Sequence, residues 1–298
     1  MERMKWIAKW LLSWAVYVVV FSVSGMLFPV SEAIMAKVGT ADAKFMMLAL
    51  AVVTLCESLL LNYVVSSARV TGLRLMGALL VLTWGIQTFM TQIETLVFIK
   101  AFPDLDTVGV LRIMLSSFLV YLAAIPFIML IQGKWKGTLS NPASTSPVAA
   151  APALKSRWYF WLPVISIAYV VLYFSFGLFP ISFPETKAYY GAWIASLSSI
   201  SPWTLGGIQI VRGLLWTLCI LPLFFILEGS KEKKMVTAAV VMGVFTAFQL
   251  MYPNGLMPPI VRFGHFVELF SEMMIFGALV GALVIPEDPY ISRPVFVR

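Results

Sequence analysis

Arg262-Phe263-Gly264-His265-Phe266-Val267-Glu268-Leu269-Phe270-Ser271-Glu272 opens the last long apolar run of the chain, which continues to about Val284. Arg262, His265, Glu268 and Glu272 are spaced three, three and four residues apart. A helix therefore sets them on one face over about 15 Å. In a bilayer such residues are expensive unless they face protein, an opposite charge or water. Four on one stripe, including the only histidine of the chain, mark a candidate site.

The chain around this stretch is 60% hydrophobic and 12% charged, with a mean hydropathy of +0.92. Soluble domains carry about twice that charge, so the composition is that of an all-α, polytopic integral membrane protein. The net charge of +7 is no sign of nucleic-acid binding, because Lys and Arg beside membrane spans follow from topology. Cys56 and Cys219 both fall inside apolar runs and read as packing residues. The apolar run at residues 11–30 is too long for the core of a signal peptide and lacks a small-x-small cleavage site, so it reads as a retained helix.

A span needs about 20 mostly apolar residues. Eight are expected: 9–29, 45–66, 73–97, 108–131, 158–179, 205–227, 235–253 and 262–285. An inside N-terminus puts Arg3, Lys5, Lys9, Arg69, Arg74, Lys134, Lys136, Lys155, Arg157, Lys231, Lys233, Lys234, Arg293 and Arg298 on the inner side. The outer loops then hold only Lys37, Lys44, Lys100 and Lys187, which places both termini in the cytoplasm. Residues 185–200 carry Tyr189, Tyr190, Trp193, Ile194 and Leu197 but are too short to cross; they read as a helix lying in the outer interface. A bacterial-type inner or plasma membrane is the expected location.

Residues 137–156, rich in Pro, Ala, Ser and Thr, read as a flexible cytoplasmic linker between units 1–136 and 157–298. The two units look like an internal repeat. Span one ends Leu27-Phe28-Pro29-Val30-Ser31 and span five ends Leu178-Phe179-Pro180-Ile181-Ser182, at an offset of 151 that also relates Ser24 to Ser175. Arg112 in span four matches Arg262 in span eight at an offset of 150. Two repeats of four spans each insert the same way up, related by an axis along the membrane normal.

Polar residues within the spans gather in the outward half. On span three, Gln87, Thr91 and Glu94 share a face; span four has Arg112, span six Gln209 and Arg212, span seven Thr246 and Gln249. Glu57 on span two is closer to mid-membrane. Intramembrane polar side chains turn toward the bundle interior, which predicts an outward-facing polar site with Glu272 as its floor.

The leading expectation is a transporter or permease that binds an anionic or lipidic small molecule. Arg112, Arg212 and Arg262 would anchor the charge, since guanidinium holds phosphate and carboxylate bidentately. Gln87, Gln209, Gln249 and Glu272 would line the ligand site, and carboxyl and imidazole groups could carry protons for a coupled cycle. A second expectation is an intramembrane hydrolase in which Glu94, His265 and Glu268 act as acid and base or hold a divalent metal, His265-x-x-Glu268 placing two ligands on one face. Apart from that metal no cofactor is evident. The third is a non-catalytic subunit that assembles with other membrane proteins.

Overall fold

The computed structural model describes residues 2–27, 43–102, 105–136, 154–197, 201–253 and 257–287. Among them there is no strand. The helices are α1 (Glu2–Leu27), α2 (Ala43–Ser66), α3 (Gly72–Val97), α4 (Thr107–Ile131), α5 (Leu162–Ile181), α6 (Pro184–Leu197), α7 (Pro202–Ile226), α8 (Lys231–Ala247) and α9 (Pro259–Val284). All except α6 belong to the eight segments long and apolar enough to cross a membrane, matching the eight expected spans. Most of linker 137–156, the Phe28–Ser31 end of the first repeat match and residues 288–298 lie outside the described residues.

Helix ends follow local chemistry. Asp106, Ser201 and Ser230 cap α4, α7 and α8 by accepting the backbone N–H of Gly109 (2.7 Å), Thr204 (3.1 Å) and Lys233 (3.3 Å). Pro202 and Pro259 occupy the first helical turn, where a missing N–H costs nothing. The α1 and α8 helices begin earlier than expected because charged residues at a membrane boundary extend the helix beyond its apolar part. Within α3, residues Gly85–Phe89 form a π-helical turn, whose wider winding breaks the 3.6-residue periodicity.

Two faces of the bundle are distinguishable. On one, the chain after α2 meets the chain after α7 in a short antiparallel bridge, Ala68 opposite Leu227. The Arg69 N–H donates to Ile226 O (2.8 Å) and the Glu228 N–H to Ser67 O (3.1 Å). The Lys134 ammonium donates to Ala68 O there (2.6 Å). Leu154, at the end of the expected linker, is buried at the same face, and the Lys155 N–H donates to Val284 O (2.8 Å). The other face carries α6, which packs on α5 and α9.

One continuous apolar core runs through both halves, from Tyr17, Leu61 and Tyr121 to Trp216, Phe245 and Phe276. The α1 helix packs on α2 and α4, and α5 packs on α7 and α9 in the same manner; α3 crosses to α7 and α8 reaches α2. Lipid offers no hydrophobic drive for helix pairing, so close backbone approach has to supply it. A Cβ on Gly277 would lie 2.6 Å from Ala238 O, and one on Gly281 2.9 Å from Met235 Cγ, so this Gly-x-x-x-Gly pair lets α8 and α9 touch.

Candidate functional site

A seam of charge lies where α3, α5, α6, α7 and α9 meet. Gly213 sets it up: a Cβ there would stand 2.9 Å from Tyr169 Cβ and 3.0 Å from Ser166 Cα, so only glycine lets α7 press against α5. The preceding residue, Arg212, is thereby turned into the bundle with 2% of its surface exposed. Its guanidinium donates to Gln209 Oε1 and to Glu94 Oε2, both at 2.8 Å. It also lies over the Tyr169 and Tyr173 rings, 5.8 Å from each centroid. Tyr173 donates to the second Glu94 oxygen (3.3 Å), and Trp216 donates to the Tyr169 hydroxyl (3.1 Å).

On α9 the stripe of the opening motif is resolved into a chain of contacts. His265 Nδ1 lies 2.5 Å from Glu268 Oε2, and Nε2 lies 2.5 Å from the Tyr190 hydroxyl of α6. Burial pushes the Tyr190 phenol up, so it stays protonated. A neutral His265 then accepts from Tyr190 at Nε2 and donates from Nδ1 to Glu268. Glu268 Oε1 reaches Gly177 of α5, where a Cβ would come within 3.3 Å. One turn deeper, Glu272 is 1% exposed and, among the described residues, neither of its oxygens has a hydrogen-bond partner. Its charged neighbours are Glu268, Arg212 and Glu94.

The seam has donors to spare. Arg212 Nε and Gln209 Nε2 are buried with no acceptor among the described residues. Arg212 also borders a groove on the outside of the bundle, walled by Ile93 and Val97 of α3 and by Gly207, Ile208, Val211 and Leu215 of α7. Apart from Thr204, which also lines the groove, these walls are apolar. The Glu94 side chain keeps 30% of its surface exposed, against 3% for Arg212.

Not every expected residue joins the seam. Glu94, Gln209, Arg212, His265, Glu268 and Glu272 do. Arg112 is exposed on α4, without a hydrogen-bond or ion-pair partner among the described residues. Arg262 is buried, but its guanidinium turns back to donate to Tyr252 O (2.7 Å). Gln87 bonds to Glu57 (2.7 Å), and Gln249 donates to Gln87 O (3.2 Å). Gln87 lies within the π-helical turn, whose wider winding takes it off the face that uninterrupted α periodicity shares with Glu94.

As a metal site, the seam has its donors already engaged. Glu94 is turned to Arg212 and Tyr173, while His265 and Glu268 hold each other. Among the described residues no three His, Cys, Asp or Glu side chains gather as a ligand set.

Sequence reasoning did not single out Tyr169, Tyr173 or Trp216 in the seam, or Tyr17 and Tyr121 around Glu57. Glu57 is 2% exposed and fully engaged: Tyr17 donates to one oxygen and Gln87 to the other, both at 2.7 Å, with the Tyr121 hydroxyl 3.1 Å from that of Tyr17. The available signal was the i, i+4 spacing of Tyr169 and Tyr173 within an apolar run, a polar tip recurring on one helical face.

The chain matches no protein-family model, no curated protein and no solved structure.

Proposed function

We propose that this protein is a membrane carrier for an amphiphilic anion, a molecule with an acidic headgroup and an acyl or prenyl chain. The observation that carries the reading is the unspent buried donor Arg212 Nε–H beside an apolar groove on the bundle surface, with a second unspent donor, the Gln209 amide, on the residue that accepts from Arg212. A tail in that groove would lie against Gly207 and Val211 with its headgroup turned to Arg212. Glu94 holds Arg212 in the meantime, so an arriving anion competes with Glu94 for the guanidinium. Arg112 and Arg262 take no part in this version of the site.

A parallel repeat with its axis along the membrane normal supports a carrier, because carrier sites sit where repeats meet. Three observations favour that repeat: the corresponding packing of α1 and α5 on their neighbours, the reciprocal crossings of α3 and α8, and the locally two-fold Ala68–Leu227 bridge. In this reading residues 137–156 join the repeats in the cytoplasm, both termini are cytoplasmic and α6 lies at the outer surface of a plasma membrane. A hydrolytic reading has less support, since both ring nitrogens of His265 are occupied by Tyr190 and Glu268.

Native mass spectrometry of the protein released from a bilayer of mixed anionic and neutral lipids tests the proposal. The wild type should retain an anionic lipid. Arg212→Met should lose it for want of charge, and Gly207→Trp for want of groove. A Cβ at Gly207 meets nothing within 4 Å, so the new side chain starts in open space at the groove, and an unchanged melting temperature checks that the fold is kept. Retention equal in all three proteins, or no preference for anionic lipid, would sink the reading.

A further inference from the structure

We propose that Tyr190, His265 and Glu268 form a proton wire that loads Glu272 from the α6 side of the membrane, and from that side alone. The inference deepens the carrier reading, on which its purpose rests, by naming the route of the coupling ion.

Two contacts are consecutive, and the last step spans one turn of α9. The Tyr190 hydroxyl meets His265 Nε2 at 2.5 Å, Nδ1 meets Glu268 Oε2 at 2.5 Å, and Glu272 stands one helical turn further along α9. Glu272 is 1% exposed with neither oxygen bonded among the described residues, which leaves it a terminus for the wire rather than part of a structural clamp. Glu57 is the contrast: equally buried, but with both oxygens engaged.

The groups facing Glu272 are Glu268 on its own helix, Arg212 on α7, Glu94 on α3 and Tyr169 on α5. From α6 comes Tyr190, through His265. The α8 helix packs along α9, but its ionisable residues are Lys231, Glu232, Lys233 and Lys234 at the far end. Beyond Glu272 toward that end, the buried positions of α9 are Met273, Phe276, Val280 and Val284, none of which accepts a proton. The wire therefore stops at Glu272.

One proton passes per cycle. The Tyr190 oxygen takes a proton from the aqueous side as its own O–H proton moves to Nε2. The Nδ1–H bond breaks and an O–H bond forms at Glu268, which then passes its proton to the Glu272 carboxylate. Tyr190 and Glu268 end as they began. The imidazole is left protonated at Nε2, and the wire resets when the proton on Glu272 returns outward through the same contacts in reverse. Arg212 and Glu94 flank the terminus, so protonating Glu272 removes one negative charge from beside the anion site.

Sided labelling with a lipid-soluble carbodiimide, which reacts with protonated carboxyls in apolar surroundings, tests this. The protein is reconstituted into sealed vesicles sorted for one orientation by protection of a C-terminal tag, and modified peptides are read by mass spectrometry. Acidifying the α6 side should raise labelling at Glu272 several-fold, and acidifying the opposite side should leave it unchanged. His265→Gln and Tyr190→Phe should abolish the response, while labelling at Glu57 stays as in the wild type and reports an intact fold. If His265→Gln alters Glu57, Tyr190→Phe alone decides. A response to the opposite side, to both sides equally, or one that survives Tyr190→Phe would overturn the proton wire. Labelling needs no transported lipid, so lost lipid retention with intact sided labelling would overturn the carrier reading alone.

Discussion

Arg212 is held from three directions, by Glu94, by Gln209 and by the faces of Tyr169 and Tyr173. A buried charge that loses its partner is costly, by about 3–5 kcal/mol in buried pairs. Because Glu94 retains some exposure, a range of about 2–4 kcal/mol is appropriate here. Glu94→Gln, which strands Arg212, should therefore lower stability by that much in detergent unfolding titrations. Adding Arg212→Met should recover part of the loss, and the double-mutant cycle should give a coupling energy of about 1–3 kcal/mol. Additive losses would show that the two charges do not depend on each other. Arg112 and Arg262 illustrate the limit of residue-scale reading. Their sequence contexts match, yet one is exposed and the other is buried against Tyr252 O.

The helices themselves were legible. Apolar runs of about 20 residues are local signals, and each of the eight produced a helix of spanning length. The π-helical turn was not legible, since nothing in Gly85-Ile86-Gln87-Thr88-Phe89 demands it; a Cβ at Gly85 would meet Cys219 Sγ at 3.0 Å, so it reflects how closely α7 passes. Packing between elements turns on few atoms. Gly277→Val should cost at least about 1–3 kcal/mol, because its side chain would push into the α8 backbone at Ala238. Gly206→Ala should be neutral within about 0.5 kcal/mol, as nothing lies within 4 Å of its Cβ. Thermal unfolding in one detergent compares the two. Equal melting temperatures would mean the α8–α9 contact is not tight.

At the scale of the whole molecule, the two halves share one core and meet at the Ala68–Leu227 bridge. Neither half can bury its inner surface alone. If the halves are repeats joined only by a linker, residues 1–136 and 154–298 expressed as two chains should co-purify and unfold as the intact protein does. Either chain alone should be degraded or aggregate. Recovery of a stable single half would contradict the shared core.

Composition and hydropathy by themselves determined that the chain forms eight helices long and apolar enough to span a membrane, and the rarity of charge in apolar runs pointed to Glu94, Arg212, His265, Glu268 and Glu272, along with Arg112 and Arg262, which do not join the seam. Those properties are local: each is written in a window of one helix. Only the tertiary structure decided the pairings, joining Glu94 to Arg212 across 118 residues and His265 to Tyr190 across 75. It likewise sent Gln87 to Glu57 and Arg262 to Tyr252. The rotation of each helix about its axis decides which side chains meet. That rotation depends on backbone contacts at Gly213, Gly277 and Gly281 and on one π-helical turn, which act between helices and leave no periodic mark along the chain.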